Sequence, residues 1–227
     1  MSSKMIAPIG FIENDFKEKF GIPRQSGRIN NISYVYFYPP YNSPDAFREL
    51  KNFSHVWLIF GFSDIPEKEF SPLVRPPRLG GNEKVGVFAS RSPFRPNGLG
   101  LSCVELVSVD LQPEKGVVLT VKGADILDGS PIYDIKPYLK KYDCKENALS
   151  GYTETYEDKK LKVAYINGAE KNMPAEKLKT LTECLEDDPR PAYQDDGKVY
   201  GFNFAGYEIK FSVSGDILTV FDIKIAK

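Results

Sequence analysis

The stretch ISYVYFY occupies residues 32–38 and sets the pattern for the first two thirds of the chain. Its even-numbered residues, from Ile32 to Tyr38, are expected on one face because successive side chains of a β-strand point to opposite sides. Similar patterns predict strands at residues 54–62, 84–90, 103–111 and 116–122. A short helix is predicted at Ser43-Pro44-Asp45, which offers a serine N-cap and a proline at the first helical position. This helix should carry Phe47 and Leu50 towards a core.

These elements predict a mainly β fold. Closely spaced strands joined by Gly- and Pro-rich turns, without a strand-helix-strand rhythm, indicate an antiparallel β-barrel or a strongly curved sheet. The pattern breaks near residue 151, so we predict a β-barrel domain over residues 1–152 and a smaller α+β domain over residues 153–227. The smaller domain should hold a strand at 161–166, a helix at 174–186 and a meander. In this meander the odd-numbered residues of 207–213 and of 217–225 should share one face.

Composition narrows the class of protein. Lysine and arginine total 30 against 31 aspartates and glutamates, which excludes a globally basic nucleic-acid coat protein or a polybasic membrane binder. The chain is 41% apolar, too much for disorder, and no apolar run is long enough to span a bilayer. No signal peptide and no C-x-x-C motif are apparent, so we expect a soluble cytoplasmic protein with reduced cysteines. A single histidine, His55, argues against a metal site.

Positive charge is concentrated in residues 71–102. This region has a net charge of +4, so the rest of the chain, whose total is −1, carries −5. Four of its five basic residues are arginines, whose planar guanidinium suits bidentate contact with phosphate. The alternative is that these arginines are solvated or paired with acids elsewhere. No G-x-S-x-G motif, P-loop or G-x-G-x-x-G motif is present, so hydrolase, nucleotide triphosphatase and Rossmann cofactor functions lack support.

Several long motifs resemble one family, the TsaA/TrmO-like tRNA methyltransferases. The motifs are IPRQSG (22–27), PYNSPDAFRELKNFSHVWLIF (40–60), RPPRLGGN (75–82), GVFASRSPFRPNGLGLS (86–102), DGSPIYDIKPYL (128–139) and DPRPAY (188–193). The resemblance spans nearly the whole chain. It implies an enzyme that binds S-adenosylmethionine (SAM) on a β-barrel, forms a homodimer, and methylates N6 of N6-threonylcarbamoyladenosine beside a tRNA anticodon.

The resemblance also implies which residues contact the cofactor. They are Pro23, Arg24, Gln25, Ser63, Asp64, Arg91, Leu101, Asp125, Ile126, Leu127 and Asp128. Ser63 departs from the family, because some relatives have histidine there, so we expect contact through its backbone and not through its side chain. Among these residues the aspartates offer acceptors, Leu101 and Ile126 offer apolar surface, and Arg24 or Arg91 can meet the methionine carboxylate.

The RNA-contacting candidates are Arg75, Arg78, Arg95 and Arg190. For Arg190 an ion pair with neighbouring acids is an equal alternative. No catalytic residue is identified. Two other functions stay open: a non-catalytic barrel module that binds SAM or RNA, supported only by Ser63, and a SAM-dependent enzyme with a small-molecule acceptor, which would not need the arginines.

Overall fold

The structure is a computed structural model that describes residues 5–66, 69–76, 83–155, 159–190 and 197–226. By their internal contacts the residues form two compact units. The barrel unit consists of Met1–Asp15, Arg24–Ser71 and Arg91–Tyr138, and the second unit of Phe16–Pro23, Pro72–Ser90 and Leu139–Lys227. The second unit thus includes two segments from the first half of the chain, and the predicted domain boundary after residue 152 stays a prediction.

The described residues contain twelve strands. They are β1 (Gly10–Glu13), β2 (Ile32–Phe37), β3 (His55–Gly61), β4 (Leu73–Val74), β5 (Val85–Gly86), β6 (Leu99–Gln112), β7 (Gly116–Lys122), β8 (Pro131–Pro137), β9 (Lys162–Tyr165), β10 (Val199–Phe204), β11 (Tyr207–Ser214) and β12 (Ile217–Ile225). The same described residues contain two α-helices, α1 (Lys140–Asp143) and α2 (Ala175–Glu186). They also contain five 3-10 turns, at Pro44–Phe47, Leu50–Asn52, Val87–Ala89, Gly151–Thr155 and Ala169–Asn172.

Six strands of the barrel unit close into a barrel in the order β1-β2-β7-β6-β3-β8, which confirms the predicted fold class. Every neighbouring pair is antiparallel. In β2 the buried residues are Ser33, Val35 and Phe37, so the tyrosines of the quoted stretch share the outer face. The core inside the barrel is made of apolar side chains from all six strands, and Phe47 packs on Phe37 with 4.7 Å between ring centroids.

A glycine in β6 is required by the packing of this core. Gly100 pairs with Phe60 on β3, and a Cβ at Gly100 would lie 2.3 Å from the Phe60 ring. Phe60 is 3% exposed, so its ring has little room to move.

We expect Gly100→Ala to lower the free energy of unfolding by about 2 kcal/mol or more, because overpacking a dense core forces strained rotamers or backbone shifts. Urea unfolding followed by circular dichroism measures this loss. Gly86→Ala is the matched control, since a Cβ at Gly86 meets no atom within 4 Å. Equal stability of the two variants would contradict the prediction.

Two predicted elements of the first half are wrong. Residues 84–90 do not form one strand: only Val85–Gly86 pairs, with β4, and a 3-10 turn at Val87–Ala89 follows. Ser90 stabilises this turn, because its hydroxyl donates to the Val87 carbonyl at 2.9 Å. The predicted helix after Ser43 is two 3-10 turns, since Glu49 adopts a left-handed φ of 68° between them and Ser43 makes no side-chain cap.

The second unit has a four-stranded sheet in the order β10-β11-β12-β9, with β9 parallel to β12. The predicted helix is confirmed as α2, whose Leu181 and Leu185 are fully buried. Ile209, Phe211 and Val213 of β11 are buried, as the alternation predicts. The prediction for β12 is wrong before residue 221, because Leu218 and Val220 are buried there, whereas Ile223 is buried as predicted. A bulge causes this change of phase: Phe211 pairs with Val220 and Lys210 with Asp222, which leaves Phe221 as an extra residue.

Candidate functional site

Three connections of the barrel lie at the same end, because neighbouring antiparallel strands alternate in direction. They join β1 to β2, β3 to β6, and β7 to β8. We call their described parts within the barrel unit the loop end; it consists of residues 14–15, 24–31, 62–66, 69–71, 91–98 and 123–130.

Nine of the eleven cofactor candidates lie in the loop end, namely Arg24, Gln25, Ser63, Asp64, Arg91, Asp125, Ile126, Leu127 and Asp128. Leu101 is the third residue of β6, next to this end. Pro23 is buried and belongs to the second unit. The barrel topology therefore brings residues that are up to about 100 positions apart in the sequence to one end of the unit.

Asp125 is the most perturbed acid of the loop end. Burial raises the pKa of its carboxyl above the ordinary aspartate value. A hydrogen bond from the Ser102 hydroxyl at 2.5 Å and the positive charge of Arg91 act in the opposite direction and favour the carboxylate. A carboxylate that is half-buried beside a cation is suited to bind a polar or cationic ligand group.

Arg91 and Gln25 connect two of the three loops. The Arg91 guanidinium donates a hydrogen bond to Oε1 of Gln25. Nε2 of Gln25 in turn donates to the backbone carbonyl of Arg24 at 2.5 Å. Arg91 remains exposed, so this contact positions its positive charge while leaving the guanidinium accessible to an anionic ligand group.

Asp128 and Ser63 make contacts inside the protein. Oδ1 of Asp128 accepts a hydrogen bond from the backbone N–H of Asn14 at 2.8 Å. The hydroxyls of Ser63 and Ser130 share a hydrogen bond of 2.6 Å. Asp64, which follows Ser63, has a left-handed φ of 57° and is exposed. Asp64 therefore offers an accessible carboxylate, whereas one oxygen of Asp128 holds the backbone of the β1–β2 connection.

The two apolar candidates differ in exposure. Leu101 is 57% exposed, which leaves its side chain accessible to a ligand. Ile126 is only 1% exposed and packs in the barrel core.

The RNA candidates occupy different environments. Arg75 is exposed, Arg95 is half-buried, and Arg78 lies outside the described residues. The Arg190 side chain is 11% exposed and forms an ion pair with Asp188, with 2.9 Å between Nε and Oδ1.

Sequence reasoning missed four buried polar residues at this end: Asn14, Asn31, Ser102 and Ser130. Their side chains make hydrogen bonds with the loop end. The burial of Asn31 could have been predicted from the sequence. Its position continues the alternation of Ser33, Val35 and Phe37, which point into the barrel, where an apolar residue is usual.

Within the described residues, no group of three or more His, Cys, Asp or Glu side chains is arranged to hold a metal ion. No helix in the same part of the chain is both long enough and apolar enough to cross a membrane. The three cysteines, all described, form no disulfide.

The fold and the site define a class: a closed antiparallel barrel that gathers acidic, cationic and apolar groups on three loops at one end. Comparisons with known proteins agree. The tRNA-methyltransferase O N-terminal domain matches residues 11–144, and the TrmO C-terminal domain matches residues 158–226. A tRNA (adenine(37)-N6)-methyltransferase from Escherichia coli is 37% identical over 99% of both chains. A crystal structure of TrmO from Pseudomonas aeruginosa has a TM-score of 0.80 at 28% identity, covering 100% of this chain and 99% of that chain.

This chain belongs to the tRNA-methyltransferase O family. The resemblance stated from the sequence motifs is thereby confirmed. A further relative, also from Pseudomonas aeruginosa and 35% identical over 96% of both chains, is provisionally assigned by its name to the SAM-dependent methyltransferases. The predicted cofactor, SAM, and the predicted enzyme class are confirmed with the family.

Proposed function

We propose that this chain transfers a methyl group from SAM to N6 of adenine 37 of tRNA, and that this adenine already carries a threonylcarbamoyl group. The full-length match to a curated tRNA (adenine(37)-N6)-methyltransferase carries the proposal. The loop end supports it, because SAM offers donors, a carboxylate and apolar surface, and complementary groups lie together there.

The residues of the loop end fit the cofactor. We assign Arg91, which is exposed and hydrogen-bonded to Gln25, to the methionine carboxylate. Asp64 and Asp125 offer acceptors for the ammonium, ribose hydroxyl or amino groups. The exposed Leu101 offers apolar contact. The remaining candidates of the barrel unit act through their backbone or support these groups: Arg24, Ser63, Ile126, Leu127 and Asp128.

SAM supplies a methyl group on a positively charged sulfur. The chain's residues therefore need mainly to align N6 of the acceptor with that methyl group and to exclude competing geometries. The carbamoyl group on N6 makes the N6 proton more acidic than that of plain adenine, so a strong general base is not required. Accordingly, we assign no catalytic residue.

For the tRNA we propose Arg75, Arg78, Arg95 and Arg190 as phosphate contacts. The +4 charge of residues 71–102 supports the first three. Arg190 is the weakest of the four, because its guanidinium is already paired with Asp188. We also propose a homodimer, as the family resemblance implies, and a cytoplasmic location, where tRNA and reduced thiols occur together.

The test of this function is incubation with SAM and tRNA that either carries or lacks threonylcarbamoyladenosine, followed by nucleoside mass spectrometry. We expect a gain of one methyl group only on the threonylcarbamoylated nucleoside. Methylation of plain adenine would contradict the proposed substrate. Binding of SAM and tRNA without any methylation would support the non-catalytic barrel module instead.

The arginine-rich region gives a prediction about salt. Replacing Arg75, Arg78 and Arg95 together by alanine should weaken tRNA binding and lower the magnitude of the slope of log K against log salt by about one for each lost phosphate contact. SAM affinity should stay within about twofold of wild type, since the proposed partner of these residues is the polyanion. Filter binding at salt concentrations from roughly 50 to 200 mM measures tRNA affinity and its salt dependence.

Arg48→Ala is the matched control for this experiment. The Arg48 side chain is 75% exposed and pairs with Asp45 at 2.6 Å, outside the arginine-rich region. Its replacement should leave the slope unchanged. An unchanged slope in the triple variant, with normal circular dichroism, would instead place the RNA on other residues.

A further inference from the structure

The interior of the barrel is apolar except at the loop end. Within the described barrel unit the buried polar residues are Asn14, Asn31, Ser33, Ser102 and Ser130. All five lie where strands meet the three loops: Asn14 follows β1, Asn31 precedes β2, and Ser130 precedes β8. Burying such groups is costly unless they are hydrogen-bonded, so their clustering calls for a specific partner.

For Asn14, Asn31 and Ser102 the partner is the segment of residues 124–128, which we call the cofactor segment. Ser130 instead shares a hydrogen bond with Ser63, and Ser33 accepts one from Asn31. Nδ2 of Asn31 donates to the carbonyl of Ala124 at 2.9 Å, and Nδ2 of Asn14 donates to the carbonyl of Ile126 at 2.9 Å. Because a carbonyl can only accept, these contacts fix the orientation of both carboxamides. The two asparagines thus hold alternate carbonyls of one segment.

Further bonds hold the same segment along its length. The backbone N–H of Asn14 donates to Asp128, and the Ser102 hydroxyl donates to Asp125. Just before the segment, the N–H of Gly123 donates to the Asn31 carbonyl at 2.9 Å. Asn14 and Asn31, on either side of the β1–β2 connection, therefore determine the path of the backbone on which Asp125 is carried.

The arrangement is not the one that stability alone would favour. Oδ1 of Asn31 is buried and has no hydrogen-bond partner. An unsatisfied buried acceptor of this kind costs about 1–3 kcal/mol. A cost of this size is typical of sites where geometry matters more than stability.

We infer that Asn14 and Asn31 are positioning residues for SAM, which act through the cofactor segment by holding Asp125 and its neighbours in the binding geometry. Neither residue needs to touch the cofactor: Asn31 is only 2% exposed and Asn14 only 8%. The inference rests on the proposed function, in which Asp125 binds SAM.

Calorimetric titration of SAM into the full chain tests the inference with Asn14→Leu and Asn31→Leu, which keep side-chain size and remove the donor. We expect SAM affinity to fall by about tenfold or more in each variant, because each substitution removes one hydrogen bond that holds the cofactor segment in its binding geometry. The Michaelis constant for SAM should rise while that for tRNA stays unchanged. If Asn14→Leu or Asn31→Leu does not fold, Asn14→Ser or Asn31→Ser replaces it. We expect the serine substitution to cause a smaller loss of SAM affinity.

Val35→Ala is the control for a merely structural effect. Val35 is fully buried on the inner face of β2 and belongs to the barrel core. Its truncation should lower stability by about 1–3 kcal/mol and leave SAM affinity within twofold of wild type at a temperature where the protein is folded. If Asn14→Leu and Asn31→Leu, like Val35→Ala, lose stability but keep SAM affinity within twofold of wild type, the inference is overturned.

Asp125→Ala, measured in the same titration, separates this inference from the proposed function. Loss of SAM affinity in Asp125→Ala together with both asparagine variants supports the inference. Loss only in Asp125→Ala overturns the inference and leaves the proposed site intact. Wild-type affinity in Asp125→Ala would overturn the proposed site, and the inference with it.

Discussion

Asp125→Asn should bind SAM about 30- to 150-fold more weakly than wild type, since a hydrogen bond to a charged group in a partly buried site is worth about 2–3 kcal/mol. Asparagine keeps an acceptor oxygen for the Ser102 hydroxyl, removes the charge, and replaces the second carboxylate oxygen by an NH2 donor. Isothermal titration of SAM measures the loss. An affinity within threefold of wild type would exclude Asp125 from the cofactor site.

The same substitution should stabilise the protein at neutral pH. Burial raises the folded-state pKa of Asp125 above its unfolded value, so the carboxylate is disfavoured in the folded protein. This penalty is fully present above the folded pKa, shrinks as pH falls through it, and disappears below the unfolded value near about 3.9. We therefore expect Asp125→Asn to raise the free energy of unfolding by about 0.5–1 kcal/mol at pH 7, within the usual range for a single stabilising change.

Urea unfolding of wild type and Asp125→Asn at pH 7 and at pH 3.5, roughly below the unfolded pKa, measures this difference. Because both proteins share all other carboxylates, the change in their difference isolates Asp125. Asp110→Asn is the matched control, since Asp110 also accepts a hydrogen bond from a serine hydroxyl, that of Ser108, but on exposed surface. Stability and cofactor binding would then favour opposite side chains at residue 125, as expected for a site that has been selected for function.

Much of the barrel could be predicted from the sequence because its central strands show clear patterns. Strands β3, β6 and β7 appear as apolar or alternating runs, and β7 has the predicted bounds. Strands β1 and β8, which close the barrel, were not predicted. Residues 10–13 form only four residues of strand, and β8 has proline at both ends, so neither has a pattern that periodicity can detect.

The bulge at Phe221 could not be predicted either, because it depends on which residue of β11 each residue of β12 faces. A one-residue insertion in a strand moves all later side chains to the opposite face. The alternation of residues 217–225 therefore predicts the wrong face for Leu218 and Val220 and the right face for Ile223.

The motifs predict which loops carry the candidate site residues, but they do not predict the hydrogen bonds that hold those loops. Asn31 and Ala124 are 93 positions apart, and Asn14 and Ile126 are 112 apart. Their hydrogen bonds exist only because the barrel brings both chain segments to one end. The sequence shows a polar residue in the inward phase of β2, but the group that it contacts depends on the closure of the barrel.

The second large effect is expected in the sheet of the second unit, at Phe211. This residue is fully buried on β11. The centroid of its ring lies 5.4 Å from the ring centroid of Tyr200 and 6.1 Å from that of Phe202. Phe211→Ala removes the ring and leaves a cavity, so we expect the free energy of unfolding to fall by about 3–5 kcal/mol. This is a large part of the total stability of about 5–15 kcal/mol that is typical of folded domains.

Urea unfolding followed by circular dichroism, with hydrogen exchange of the amides in β10, β11 and β12, measures this loss and locates it. Tyr200→Phe is the matched control: it keeps the stacked ring and removes a buried hydroxyl that has no hydrogen-bond partner. Since an unsatisfied buried hydroxyl is unfavourable, Tyr200→Phe should leave stability unchanged or raise it by about 1 kcal/mol. A loss of less than about 1 kcal/mol in Phe211→Ala would contradict the prediction, because it would show that the Phe211 ring contributes little to the stability of this sheet.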